Sequence, residues 1–203
     1  MNAEFRINGK TIETERLLLR AFQKTDLDDF FEYASVEGVG EMAGWQHHKN
    51  KEESRSILRM FMEEDQTFAI CLKETGKVIG SLGVKEYGLE EKLTEFSDYQ
   101  GREIGYVLSR DYWGRGIMPE ALQAVIDVLF REWDFDFLLC GYYDFNAQSK
   151  RVQQKCGFKP YRKLVMDTRL GRTEPGVLNL LLHPEKEIRL TFSHPQTLIW
   201  EQT

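Results

Sequence analysis

Cysteine is scarce in this chain and nowhere paired: Cys71, Cys140 and Cys156 are the three in 203 residues. The number is odd, the surroundings are apolar or mixed and no CxxC spacing occurs, which excludes a disulfide framework and leaves no zinc-ligand pattern. Reduced thiols suit a cytoplasmic protein. No apolar run approaches the ~20 residues of a membrane span, and the first residues, "MNAEFRINGKTIETERLLLR", carry charges throughout. Export or membrane insertion is therefore not expected. A basic stripe is missing too: 27 Lys and Arg stand against 33 Asp and Glu, a formal net charge of -6. Gripping phosphates takes concentrated positive charge, so a nucleic-acid partner is not expected.

Repeats, low-complexity segments and linkers are also absent, while 41% hydrophobic and 30% charged residues are a globular balance. One domain over 1–203 is expected, with a core of about 11–183 and a C-terminal extension, 184–203, whose Ile199 and Trp200 suggest docking.

Periodicity orders the elements. "TIETERLLLRAF" alternates Leu17 and Leu19 with Arg16, Leu18 and Arg20, which predicts one strand from about Ile12 to Phe22. Leu27, Phe30, Phe31 and Ala34 follow at helical spacing behind Thr25 or Asp26 as cap. "VEGVGEMAGWQHHKN" has no period and reads as a substrate-side loop, with Trp45 as a lid or acceptor contact. His47 and His48 are adjacent, which suits no metal site, and are expected to be exposed. A second amphipathic helix capped by Asn50 carries Ile57, Leu58, Phe61 and Met62. "TFAICLKETGKVIGSLGVKEYG" is a hairpin around "ETGK". A polar excursion from Leu89 to Gly101 leads to the strand "REIGYVLSRD". A long helix to about Trp133, the apolar strand "FDFLLCGYYDF", a short helix between Asn146 and Gly157 and two strands around "RLGRTEPG" complete the order β-α-α-β-β-β-α-β-α-β-β.

The junction "YWGRGIMPEAL", Tyr112 to Leu122, ends a strand in glycines and opens a helix. Unpaired N–H groups and the positive end of a helix dipole make such a turn an anion site. Gly114 and Gly116 let an oxygen approach the main chain, and Arg115 adds charge. A P-loop needs GxxxxGK[ST] and the dinucleotide fingerprint needs a third glycine, where Pro119 stands, so ATP and NAD are disfavoured.

Three motifs in order, "ETERLLLR" (Glu13 to Arg20), "EIGYVLSRDYWGRGIMPEAL" (Glu103 to Leu122) and "NAQSKRVQQKCGF" (Asn146 to Phe158), resemble the GNAT superfamily of acetyl-CoA-dependent N-acetyltransferases, and its ribosomal-protein N-terminal acetyltransferase (RimJ/RimL-like) branch. The likeness spans about Thr11 to His183. It implies an α/β (α+β) GNAT fold: a mixed, mostly antiparallel sheet splayed into a V, with helices on both faces. It implies acetyl-CoA as co-substrate, its pyrophosphate cradled by the backbone of Arg110 and of Trp113, Gly114, Arg115, Gly116, Ile117 and Met118. Trp113 and Met118 depart from the family's usual Gln/Arg and small residue. Tyr106, Val107 and Leu108 would pair with the pantetheine arm, Asn146 would touch it, and Ser149 would face the sulfur. The implied activity is direct acetyl transfer to a primary amine, either the α-amine of a ribosomal or other protein or a small amine such as an antibiotic, polyamine or amino acid. The alternative is a non-catalytic acyl-CoA-binding module. A monomer or homodimer is expected.

Such chemistry needs a neutral amine, a stabiliser for the oxyanion and a proton for the departing thiolate. By the same resemblance, the N–H of Val107 or Leu108 stabilises the oxyanion and Glu103 is the base. Relatives carry a Tyr acid where Gln153 stands; Ser149 substitutes by position, with Tyr142 and Tyr143 behind it. The apolar settings of Cys140 and Cys156 argue against an acyl-enzyme.

Overall fold

Eight strands form one sheet in the computed structural model of the chain, which describes residues 1–88 and 93–190. In chain order the elements are β1 (Ile12–Glu13), β2 (Leu17–Ala21), α1 (Leu27–Ala34), α2 (Lys51–Glu64), β3 (Thr67–Leu72), β4 (Val78–Lys85), β5 (Gly101–Leu108), α3 (Ile117–Arg131), β6 (Phe137–Tyr143), α4 (Ala147–Lys155), β7 (Lys159–Asp167) and β8 (Thr173–Leu182). The predicted succession holds, with one difference at the start. The single strand expected from Ile12 to Phe22 is broken into a tight hairpin in which Ile12 faces Leu19. Thr14 makes the break: its Oγ1 accepts the Leu17 N–H at 3.0 Å, and its own N–H donates to the Leu17 carbonyl at 2.9 Å. A side-chain acceptor competing with the ladder is what Thr offers a turn.

Spatial order is β1-β2-β3-β4-β5-β6-β8-β7. Every pair is antiparallel except β5 and β6, which gives the mixed, mostly antiparallel sheet. Strand alternation divides the apolar residues between two faces. Phe68 and Ile70 join Leu17, Leu19 and the stripe Ala121, Leu122, Val125, Ile126 and Leu129 of α3. Ala69 and Cys71 turn to the other face, beneath Phe30, Tyr33 and Leu58 of α1 and α2. Helices thus cover both faces. A third cluster, around Phe96, Phe137, Tyr161 and Leu180, fills the β6-β8-β7 end. The described start of the C-terminal extension lies back on the protein: Lys186 donates to Asp136 at 2.8 Å, the Arg189 N–H donates to the Tyr99 hydroxyl at 2.9 Å, and Leu190 packs on that third cluster. Ile199 and Trp200 lie outside the described residues.

The decisive irregularity is central. Parallel pairing of β5 with β6 covers Gly101 with Phe137, Arg102 with Leu138 and Glu103 with Leu139, and stops there. Beyond Glu103 the strands diverge, while β5 stays paired to β4 up to Leu108. A β-bulge between β3 and β4 leaves Ile79 without a counterpart on β3 beside this region. The next residue, Gly80, lets β4 approach β5 closely, since a Cβ there would sit 2.5 Å from the Val107 carbonyl oxygen. Gly80→Ala should therefore push β5 toward the split and cost about 1–3 kcal/mol in urea unfolding; an unchanged midpoint would show that β5 is not held by this approach.

Candidate active site

The split opens into a cleft of about 560 Å³ lined from β5, β6, Met166 of β7, the turn before α3 and its first residues, one side of α4 and the loop before α2. That volume suits a bound small molecule. Of the residues expected here, Glu103, Tyr106, Val107, Leu108, Trp113, Gly114, Gly116, Ile117, Met118, Tyr142, Asn146 and Ser149 line it.

One end is the turn. Gly114 and Gly116 sit at φ 75° and 76°, left-handed values that glycine adopts without strain. Neither would crowd an added Cβ, the nearest atom being Arg16 Nη2, 3.7 Å from the Gly116 position. The turn is held from behind. Arg16 donates from Nη1 to the Arg115 carbonyl at 3.0 Å and from Nε to Glu120 at 2.7 Å, and Thr14 donates to the same carboxylate at 2.6 Å. In a trans peptide the C=O and the following N–H point oppositely, so anchoring the Arg115 carbonyl aims the Gly116 N–H away from Arg16. Ile117 and Met118 follow as the first residues of α3, their N–H groups without intrahelical acceptors, and Pro119 removes the next donor altogether. Arg110 and Arg115 do not line the cleft. The Arg110 carbonyl accepts the Trp113 N–H at 3.1 Å, and the Arg115 guanidinium lies over the Tyr112 ring at 5.4 Å. The turn therefore presents main chain, with Arg151 and Lys155 of α4 as the cations in the cleft wall.

Along β5, alternation decides which groups face the split. The Ser109 N–H donates to the Ile79 carbonyl at 2.7 Å, and the register pairs Val107 with Ser81 two steps back. Antiparallel alternation then turns the N–H and C=O of Val107 toward β4, and those of Tyr106 and Leu108 toward the split. Of the two expected oxyanion donors, Val107 is thus committed to the ladder and Leu108 is open. The Leu108 carbonyl is taken by Trp113, whose Nε1 donates to it at 2.8 Å. That bond gives the Trp side chain a local task at the strand end.

A polar chain, buried at Asn179 and Gln153 and half-buried at Ser149 and Tyr106, spans the split. Asn179 of β8 donates to Gln153 Oε1 at 2.8 Å; Gln153 Nε2 donates to the Gly141 carbonyl and to Ser149 Oγ, each at 3.1 Å. Because Gly141 offers only an acceptor, the amide orientation follows from its partners. Ser149 Oγ also lies 2.9 Å from the Tyr106 hydroxyl, which reaches the Ser149 carbonyl at 3.2 Å. Ser149 accepts from Gln153 and keeps its own proton for Tyr106 or the cleft. The hydroxyl behind Ser149 is therefore Tyr106 of β5, where Tyr142 or Tyr143 was expected. Gln153 is fully buried and orients Ser149. Burial raises the pKa of the Tyr106 hydroxyl well above that of a free phenol, so it stays protonated. Asn146 caps α4, accepting the Ser149 N–H at 2.9 Å, and donates to the Met42 carbonyl at 2.8 Å, tying the loop to the helix.

Glu103 stands where the pairing ends. Burial pushes its carboxyl from 4.5 to about 7, and among the described residues no hydrogen bond or ion pair offsets that. Cys140 also lines the cleft, but burial and then the Glu103 charge keep it a thiol, well above the ordinary range. Burial likewise holds Cys156 up at about 11. Neither is a ready nucleophile.

Two loop expectations change. Trp45 packs its ring against His48 at 5.1 Å and onto the α1–α2 core, while Val39, Met42 and Ala43 line the cleft. His48 is buried, its Nδ1 2.7 Å from Ser54 Oγ, and burial lowers its basicity. His47, half-buried, pairs with Glu41 at 2.9 Å. Among the described residues no group of three or more His, Cys, Asp or Glu is arranged to hold a metal, and no helix is long and apolar enough to cross a membrane.

Residues 16–159 match the family described as acetyltransferase (GNAT) domain. The uncharacterized N-acetyltransferase p20 of Bacillus licheniformis is 32% identical over 156 residues, 74% of this chain and 83% of that protein. An acetyltransferase (GNAT family) from Bacillus anthracis superposes with a TM-score of 0.75 at 22% identity, over 87% of this chain and 100% of that one. A ribosomal-protein-S5-alanine acetyltransferase from Vibrio fischeri gives 0.66 at 19%, over 87% and 98%. At these identities the two structures speak for the fold.

The unpaired carboxyl has a consequence for stability. Between pH 4.5, where an unfolded Glu titrates, and about 7, the folded state holds the extra proton. Stability from this group is therefore greatest below the unfolded value and falls as pH rises to the folded one. Glu103→Gln should be the more stable protein at about pH 8, by up to about 3 kcal/mol, and equal to the parent at about pH 4. Glu103 is partly accessible to solvent, and the resulting screening makes that figure an upper bound. Denaturant unfolding at both pH values checks it; a difference that does not change with pH contradicts the assignment.

Proposed function

The chain belongs to the GNAT acetyltransferase family, and we propose that it moves an acetyl group from acetyl-CoA directly to a primary amine, with Glu103 as general base. The observation that carries this reading is the lone carboxyl with a pKa of about 7, set at the point where an open strand edge begins. A base is most useful when its pKa lies near the working pH.

The fit to acetyl-CoA rests on the chain's own groups. Bound acetyl-CoA supplies an acetyl thioester and a pyrophosphate. The uncrowded turn at Gly114 and Gly116 and the free N–H groups opening α3 suit the pyrophosphate. Arg151 and Lys155 add positive charge on the same side. The exposed groups of Tyr106 and Leu108 suit an amide-bearing arm added as a strand.

In this reading Glu103 takes the proton from the incoming ammonium or amine, directly or through one water. The Leu108 N–H donates to the carbonyl oxygen as negative charge builds there. Ser149, its rotamer fixed by Gln153 and Tyr106, hydrogen-bonds the sulfur as the C–S bond breaks, and the thiolate then takes up the proton that Glu103 removed from the amine, directly or through water. The thiols of Cys140 and Cys156 take no part. A base near 7 is better matched to an α-amine, near ~8, than to a lysine, near ~10.4, which favours an amino-terminal or amino-acid-like amine.

Free-thiol release from acetyl-CoA over an amine and peptide panel tests the proposal. Glu103→Gln should lower kcat by about 10²–10⁴-fold while acetyl-CoA affinity stays level. In the parent, kcat should climb about tenfold per pH unit below the Glu103 value of about 7 and flatten above it. The pair Cys140→Ala and Cys156→Ala should keep the parental rate. Acetyl-CoA binding without turnover of any acceptor would identify a non-catalytic acyl-CoA-binding module instead.

A further inference from the structure

The two sides of the cleft differ in chemistry. Toward α3 and α4 it carries main-chain N–H groups, Arg151 and Lys155. On the other side it is walled by Val39, Met42 and Ala43 of the loop and by Val107, Tyr143 and Met166 of the strands. Glu103 is the one carboxylate among the lining residues. The neighbouring acids are engaged or outside: Glu41 accepts from the Gly38 N–H at 2.7 Å and pairs with His47, Glu174 pairs with Arg172 at 2.6 Å, and Asp144 is exposed and does not line the cleft.

An acceptor with several ammonium groups would have to bury at least one of them here without a partner, at a cost of several kcal/mol. Apolar groups meet the opposite situation. The Tyr143 and Phe145 rings stack at 5.4 Å and 10°, and Phe145 is 47% exposed, one of the few large apolar side chains left in water. The pair runs as an aromatic shelf from the cleft wall to the surface. Met42 and Met166 supply flexible, polarizable contacts that adapt to an apolar group.

We propose that the acceptor is a primary α-amine beside an uncharged apolar side chain, entering over the Phe145–Tyr143 shelf, and that polyamines and polycationic antibiotics are excluded. This rests on the transferase reading and names the substrate class of that site. The chemistry could come from a free amino-acid derivative or from a polypeptide N-terminus, and the same assay separates the two.

The test measures kcat/KM by thiol release with leucinamide, with a pentapeptide amide beginning in Leu, and with spermidine, alongside acetyl-CoA affinity by titration. At least one Leu-bearing acceptor should exceed spermidine by tenfold or more, about 1.4 kcal/mol of discrimination. Turnover of the peptide alone marks a polypeptide N-terminus as the source; turnover of leucinamide alone marks a small molecule. Phe145→Ala should raise the KM of the better Leu acceptor about fivefold and leave acetyl-CoA affinity unchanged. Met166→Glu, which adds a second carboxylate to the wall, should raise spermidine turnover about tenfold. Spermidine used as well as the Leu acceptors, or a KM indifferent to Phe145→Ala, overturns the acceptor class while leaving the transferase standing. Acetyl-CoA bound with no acceptor used overturns both.

Discussion

The candidate site depends on one loss of pairing, the divergence of β5 from β6 after Glu103 and Leu139. Central strands ordinarily spend their N–H and C=O groups on each other, and a buried group left over carries a penalty. Here the leftover groups are allocated. Val107 is turned to β4, the Leu108 carbonyl is closed by Trp113, and the chain Asn179–Gln153–Ser149–Tyr106 crosses the gap. What remains toward the cleft is a short open edge at Tyr106 and Leu108. Because the strap is made of side chains with fixed partners, it defines the width of the gap without filling it.

The same economy governs the turn before α3. An anion site made of main chain is only as good as the orientation of its peptides. The lock is remote in sequence: Arg16 and Thr14, at the first hairpin, share the carboxylate of Glu120 on α3, and Arg16 also holds the Arg115 carbonyl. The break at Thr14 that prevents one long first strand is therefore what brings Arg16 to the turn. An exposed ion pair adds little to stability. Its value here is in fixing a peptide plane.

Local pattern made the elements legible in the sequence, because periodicity, the Asn50 and Asn146 caps and the glycine punctuation are properties of neighbouring residues. The turn and Glu103 were legible as motifs. What escaped depends on contacts between distant segments. The pairing of Ser149 with Tyr106 joins residues 43 apart in sequence, and only the split strands bring them together. Whether Val107 or Leu108 is open depends on a register that Ser109 and Ile79 fix. The local pattern makes Trp45 a substrate contact and His48 an exposed loop residue, yet both turn inward and help seat the loop, leaving Met42 and Ala43 at the cleft. Arg16 belongs to the motif "ETERLLLR", but nothing in those letters says that its partner is Glu120.

The unpartnered state of Glu103 is best understood as a compromise between fold and chemistry. A cation or hydrogen-bond donor beside it would relieve the burial penalty, and by favouring the carboxylate would draw its pKa back down. A base so stabilised would hold protons too weakly to take one from an amine near neutral pH. The loop and strand side of the wall carries no charged side chain besides Glu103, and Arg151 and Lys155 are kept on the helix side of the cleft. The same emptiness that raises the carboxyl also denies a second ammonium any counter-charge. In the proposed reading, basicity and acceptor preference are two consequences of one local composition: a single carboxylate on the strand side of the cleft, with the two cations held on α4.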